Sequence, residues 1–381
     1  MITDIVAWPR ERLEQLSTRI VFFIAGFVMA AWAPLVPYAK ARVGIDDAVL
    51  GLILLCLGMG SIVTMPIAGA LAARFGCRLV IALASLLLCL TLPVLATVAS
   101  AALLVASVLV FGAAIGALDV AMNIQAIIVE RASRRSMMSG FHGQFSLGGI
   151  AGAAGVTGLL AAGSTPLAAT LCVSAALIVL LTTAAPHMLP YGARREGPAF
   201  AVPHGVVLFI GMLCCIAFLT EGAVLDWSAV FLTSSRDMAT SYAGLGYAVF
   251  AMAMTIGRLT GDHIVQRFGG ANTIVFGGIC AALGFALAAL LPSWQAALLG
   301  YALVGIGCSN VVPVLFTSVG RQTVMPEHVA VPAITTLGYA GILAGPALIG
   351  FVAHAASLAT AFLILAIMLL GVAAGGRRLR I

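Results

Sequence analysis

The sequence predicts an all-α membrane protein, with twelve transmembrane helices arranged as two pseudo-symmetric six-helix bundles. Three observations predict it. Only 8% of the 381 residues are charged while 62% are hydrophobic, about a third of the charge found in a soluble domain, and mean hydropathy is +1.16. Twelve apolar runs reach the roughly 20 residues that cross a bilayer. The second half also repeats the first at a fixed offset. A water-soluble enzyme, a disordered chain (15 Pro) and a collagen-like repeat are excluded by the same numbers.

The runs lie near 18–39, 47–72, 78–99, 101–129, 136–163, 165–187, 203–232, 240–264, 271–291, 294–319, 330–354 and 356–376. Charged or turn-forming breaks separate them, among them Arg74 to Arg78, Arg131 to Arg135, Tyr191 to Gly197 and Arg267 to Gly270. Internal Gly and Pro are compatible with spanning helices, because neighbours re-satisfy the backbone. Run 1 contains Ala31-Trp32-Ala33, which looks like a leader cleavage site. Its apolar stretch continues past that point, so it reads as a spanning helix. Seven of the eight cysteines lie in apolar runs and Cys77 in a short loop, with no CxxC pair. They read as buried small hydrophobes, not a disulfide framework.

With twelve spans both termini share one side. If that side is the cytoplasm, sixteen of the nineteen basic residues lie there, and only Lys40, Arg42 and Arg236 lie outside. This satisfies the positive-inside rule and predicts a plasma-membrane protein with cytoplasmic termini. The basic residues are spread thinly between apolar runs, so they form no patch for nucleic acid. The domains read as 1–190 for the first bundle, 191–202 for a cytoplasmic linker and 203–381 for the second bundle.

Arg74-Phe75-Gly76 returns as Arg267-Phe268-Gly269, a shift of 193 residues (269 − 76). The same shift carries Gly51 to Gly244, Gly112 to Gly305, and Gly148 and Gly152 to Gly341 and Gly345. A shift of 195 carries Trp32 to Trp227. Accidental matching between apolar helices is the competing explanation. Two bundles related by such a parallel repeat are expected to face one another across a cavity near the bilayer midplane.

These residues resemble a known family over nearly the whole chain. Gly69-Ala-Leu-Ala-Ala-Arg-Phe-Gly-Cys-Arg78 is similar to the loop signature of the major facilitator superfamily, G-x-L-A-D-R-x-G-R-R, but carries Ala73 where the acid is expected. The second-half copy, Gly257 to Gly269, keeps an acid at Asp262. Trp32-Ala-Pro-Leu-Val-Pro37, Leu118-Asp-Val-Ala-Met-Asn123, Ser139 to Gly149 and Glu221-Gly-Ala-Val-Leu-Asp-Trp227 resemble the bacterial YbjJ-like group, related to fucose-permease-type carriers. The resemblance implies a proton-linked secondary transporter working by alternating access, as its halves rock. Its partners would be a small polar solute (sugar-like or an organic metabolite), protons and the lipid bilayer, with no cofactor and a monomeric state. Two other readings stay open. One is proton-driven efflux of amphipathic compounds; drug antiporters carry a glycine-proline motif like Gly341-x-x-x-Gly345-Pro346, but on helix 5, where this chain has Ala153. The other is a membrane sensor that keeps the carrier fold. No nucleotide loop, metal cluster or nucleophile triad suggests an enzyme.

An ionised side chain at a helix centre costs roughly 2.5–3.5 kcal/mol on insertion scales, so each one needs a reason. Asp119 in run 4 has Asn123 one turn further on the same face; together they could hold a proton and a hydroxyl-bearing solute, or tie two helices. Glu221, mid-way along run 7, could load and release protons, or stay protonated as a structural donor. His142 in run 5 could relay protons or brace helices. Asn310 in run 10 faces either a cavity or a neighbour. Trp32, Trp227, Tyr247 and Tyr339 could stack on a sugar, although the tryptophans equally suit an interfacial belt. Arg258 and Asp262, one turn apart near the inner end of run 8, with Arg267 beyond and Arg74 in the first-half loop, read as gating charges. Asp226 would sit nearer the outer mouth.

Overall fold

The computed structural model describes residues 9–193, 201–239 and 242–379. Arg194, Arg195, Arg380, most of the 191–202 linker and the start of run 8 lie outside them. The first span is α1 (Arg10–Ala31) and α2 (Val36–Val43), joined by a 3-10 turn at Ala33–Leu35. Then follow α3 (Asp47–Phe75), α4 (Cys77–Leu95), α5 (Ala101–Ser133), α6 (Met138–Ala161) and α7 (Pro166–Ala184). The second half holds α8 (Gly205–Ser235), α9 (Leu245–Phe268), α10 (Gly270–Leu290), α11 (Trp294–Cys308) with α12 (Val311–Val319), α13 (Glu327–Ala355) and α14 (Leu358–Gly376). Runs 1 and 10 thus each appear as two helices. Prolines explain both breaks: Pro34 and Pro37 in the first and Pro313 in the tenth cannot donate to the carbonyl four residues back.

Among the described residues eleven helical stretches are long and apolar enough to cross a membrane. The remaining run, the eighth, is α9, which is 24 residues long but carries Arg258, Asp262 and Arg267. The cysteine expectation needs correction. Cys77, Cys89, Cys214 and Cys308 are buried, but Cys56, Cys215 and Cys280 are half-buried and Cys172 is exposed, which lipid around a membrane helix tolerates because the thiol is a small apolar group. Cys77 is the first residue of α4 and not a loop residue.

The chain forms two compact units, Met1–Arg135 with Gln144–Ala199, and Ser136–Gly143 with Phe200–Ile381. The sequence reading placed all of 1–190 together. Ser136–Gly143 instead groups with the second unit, because Gly140 and Gly143 lie against Asp262 and Leu259.

In the first unit, Gly112 of α5 lies against the Leu57 carbonyl of α3. In the second, Gly305 of α11 lies against the Phe250 carbonyl of α9. Both members of the pair have moved by 193 residues (305 − 112 and 250 − 57). A second crossing also recurs: Gly148 and Gly152 of α6 meet the Phe23 and Phe27 carbonyls of α1, and Gly341 of α13 meets the Cys215 carbonyl of α8. With no water to expel, helices in a membrane associate by close packing, and small residues allow it.

The two RFG loops share one backbone. Gly76 has φ 88° and donates to the Ala72 carbonyl at 2.9 Å; Gly269 has φ 80° and donates to Val265 at 2.9 Å. That left-handed region is open to glycine without penalty. Arg74 lies over the Phe75 ring (5.0 Å) and Arg267 over Phe268 (5.7 Å). The surroundings differ: Gly76 is covered by the Pro190 carbonyl, while Gly269 has open space. Arg78 donates to the Met188 and Pro186 carbonyls, and buried Gln125 accepts from the Leu189 N–H. The stretch after α7 is thereby sewn onto the first unit.

Another repeated device escaped the sequence reading. Arg42 donates to the Leu95 and Val98 carbonyls at the end of α4, both at 2.7 Å. Arg236 donates to the Ala288 and Ala289 carbonyls at the end of α10, both at 2.8 Å. Each arginine caps carbonyls that the helix itself leaves unpaired. Two of the three basic residues assigned to the outer side therefore have a structural role. Arg236 also lies 4.5 Å from the centre of Phe231, which joins Phe285, Tyr301 and Phe362 in the aromatic core of the second unit.

Candidate functional site

The second unit brings together residues from four segments. Arg258 of α9 is 7% exposed, and its Nη2 donates to both carboxylate oxygens of Glu221 on α8, at 3.2 and 3.4 Å. The expectation that Arg258 lies near the inner end of its helix is corrected. It is the fourteenth of 24 residues in α9, and it can be buried there because a carboxylate from the adjacent helix balances it. It therefore drops out of the loop charges used for orientation.

Beside Arg258 the tenth span breaks. Asn310 takes φ −109°, ψ −2° and opens α12. Pro313 leaves the Ser309 carbonyl without its usual helical donor. The Asn310 amide donates across to the Gly257 carbonyl at 3.1 Å and to Ser309 Oγ at 3.0 Å. Gly257 permits this approach, since a Cβ there would collide with Ser309 Oγ. Asn310 is buried, and its Oδ1 meets no donor among the described residues. Tyr247 is 41% exposed, with its ring 6.0 Å from Phe250, and Cys308 is buried.

The first turns of α6 complete the cluster. His142 is buried, with its ring 5.8 Å from Phe316. The Gly140 N–H, one of the free donors at the start of α6, donates to Asp262 Oδ1 at 3.0 Å. A carboxylate at that end is favoured by the helix dipole. The Ser139-Gly-Phe-His-Gly segment packs here because Gly261, Gly140 and Gly143 leave room for Ser139, Asp262 and Leu259.

In the first unit, fully buried Asn123 donates to the Asp119 backbone carbonyl at 2.8 Å and to its Oδ1 at 3.3 Å. The Asn123 Oδ1 meets no donor among the described residues. Here α5 runs unbroken for 33 residues. Ala117 stands where the repeat places Asn310, and buried Met65 stands where it places Arg258. The charged cluster is thus peculiar to the second unit.

The remaining candidates are scattered. Trp32 is 5% exposed at the break between α1 and α2, and its indole N–H meets no acceptor among the described residues. Trp227 packs against Gly350 of α13. Tyr339 lies against Phe218, ring centres 6.1 Å apart. Asp226, Arg74 and Arg267 are exposed. Sequence spacing missed the partnership of Arg258 with Glu221. The available signal was depth, since each is a charge well inside an apolar run.

Comparison with known proteins agrees with this architecture. The family profile of the Major Facilitator Superfamily matches residues 19–331. An uncharacterised MFS-type transporter of Yersinia pestis is 56% identical over 365 residues, covering 96% of this chain and 95% of that protein. The membrane protein MosC of Rhizobium meliloti is 31% identical over 358 residues, covering 93% and 87%. Among solved structures, the MFS transporter FucP in its outward conformation superposes with a TM-score of 0.82 at 16% identity, covering 97% of this chain and 99% of that one. The proton:xylose symporter XylE gives a TM-score of 0.76 at 13% identity, covering 96% and 94%. The chain belongs to the Major Facilitator Superfamily.

Proposed function

We propose that the protein is a secondary active transporter that moves a small polar, sugar-like or organic solute by alternating access, in symport with protons. The observation that carries this reading is the buried Glu221–Arg258 ion pair beside the broken tenth span. Discontinuous helices expose backbone and side-chain polar groups where a solute can meet them. A buried pair is stable only while both members are charged. When Glu221 takes a proton, Arg258 loses this counter-charge, and a solute rich in hydroxyl or carboxylate oxygens offers acceptors in its place. Proton and solute then favour each other's binding, and that reciprocal linkage is what symport requires.

Asp119 with Asn123 is a second proton and solute site on the first unit. His142 serves as a relay, Asn310 as a solute contact, and Trp32, Trp227, Tyr247 and Tyr339 as stacking surfaces. Asp262, Arg258, Arg267, Arg74 and Asp226 gate. The termini lie in the cytoplasm, on the asymmetry of the loop arginines, and the likeness to bacterial relatives supports the bacterial inner membrane as the setting. FucP, described as a fucose:proton symporter, and XylE, described as a proton:xylose symporter, support this reading through their shared fold.

The test is proton flux in proteoliposomes carrying an internal pH dye, screened against sugars and organic acids. A solute that acidifies the lumen of wild-type vesicles is expected. Glu221→Gln keeps solute exchange but loses proton-driven accumulation. Equal accumulation by wild type, Glu221→Gln and Asp119→Asn overturns the coupling scheme.

A further inference from the structure

The first turns of α1 and the turn after α5 enclose a cleft of about 260 Å³ in the first unit, lined by Arg12, Gln15, Leu16, Arg19 and Arg135. The four α1 residues fall at i, i+3, i+4 and i+7, a single stripe of the helix. Arg135 reaches the cleft from the other wall. Its approach is set by Arg134, whose left-handed backbone (φ 50°) ends α5. Gln15 then holds it in place: the Gln15 side-chain carbonyl accepts from Arg135 Nη2 at 3.1 Å, while its amide donates to Ser133 Oγ at 2.9 Å. Three guanidinium groups share one cleft, and among the described residues no carboxylate lines it. Glu14, on the same helix, is turned toward Arg10 (Nε–Oε1 3.0 Å).

We propose that this cleft binds a phosphate-bearing anion. Exposed like charges gathered this way raise the local positive potential and favour an anion among them, and the planar guanidinium fork matches phosphate oxygens in pairs. The depth suits an interfacial ligand. Arg19 immediately precedes the apolar stretch of α1, and Arg12 lies seven residues earlier, about 10 Å along the axis. Leu16, 44% exposed, gives the cleft an apolar patch beside its charges. Two sources carry this chemistry: the phosphodiester of an anionic lipid headgroup, and a soluble phosphate ester. The site is independent of the transport reading above, since none of its residues takes part in it.

The experiment uses full-length protein in phosphatidylcholine nanodiscs, followed by thermal unfolding and native mass spectrometry. One arm adds phosphatidylglycerol to the disc; the other adds inorganic phosphate or glycerol 3-phosphate to the buffer. Stabilisation with retention of phosphatidylglycerol alone identifies a lipid site, and stabilisation by the soluble phosphates identifies a free-anion site. Arg12→Gln and Arg19→Gln each weaken apparent affinity about fivefold, the size expected for one basic residue near an anionic surface. Gln15→Ala keeps all three charges but releases Arg135, and weakens binding less. Arg321→Gln, an exposed arginine elsewhere, changes nothing. Binding of neither probe, or equal binding by wild type and Arg12→Gln/Arg19→Gln, overturns the proposal.

Discussion

Arg258 Nη2 and the Glu221 carboxylate meet at 3.2 and 3.4 Å across two membrane-spanning helices of the second unit. Removing one partner leaves a buried charge without this counter-charge and destabilises by about 3–5 kcal/mol, whereas replacing both by apolar residues is often neutral. Arg258→Gln alone is therefore expected to lower the unfolding temperature sharply. The double variant Glu221→Leu/Arg258→Met, which copies the Met65 of the first half, recovers stability but not transport. Thermal unfolding and solute uptake, measured on the same preparations, separate the two effects.

Asp262 anchors the first turn of α6 through the Gly140 N–H. Asp262→Asn removes the negative charge from a helix start, an effect of about 0.3–1 kcal/mol. Hydrogen exchange over residues 138–142 should rise severalfold while exchange in α14 stays unchanged. An unaltered exchange pattern would show that the packing of Gly140 and Gly143 holds the segment unaided.

Gly341 and Gly148 each face a backbone carbonyl too closely for a methyl group, whereas Gly158 has open space. Gly341→Ala and Gly148→Ala should each destabilise by about 1–3 kcal/mol, the usual range for overpacking. Gly158→Ala should be neutral or stabilising by about 0.5–1 kcal/mol, the helix preference of Ala over Gly. Unfolding curves of the three variants decide it.

Arg42 and Arg236 each donate two hydrogen bonds to carbonyls at a helix end. A hydrogen bond from a charged group contributes about 1.5–3 kcal/mol. Arg42→Ala and Arg236→Ala should lower stability by similar amounts. At Arg42, whose Nε and Nη2 reach separate carbonyls, lysine should restore only part of the loss, because a point charge lacks the spread of the guanidinium fork; at Arg236, where Nη2 alone serves both carbonyls, lysine should restore more. Chemical denaturation of the alanine and lysine variants provides the comparison.

Pro313→Ala returns a backbone donor to the Ser309 carbonyl and lets α11 and α12 join. Folding is expected to persist while solute uptake falls, since Asn310 would leave the position from which it reaches Gly257. Uptake at wild-type levels would remove the broken span from the mechanism.

The membrane class, the helical runs and the two-fold repeat were legible in the residues, because they rest on local quantities: apolar length, loop charge, and glycines at a constant offset. The RFG loops were legible as a motif, and folding gave them a matched backbone with φ near 80–90°. The candidate site was legible only as separate polar residues. Spacing along one helix reports neighbours three or four residues away, so it grouped Arg258 with Asp262. Glu221 lies 37 residues from Arg258, and helix packing alone could make them partners. Packing likewise set Arg42 and Arg236 on helix ends and drew Arg135 toward Arg12 and Arg19. A buried or crowded charge is stabilised by whatever group stands opposite it, and that group is chosen by how helices cross, which hydropathy and period do not encode.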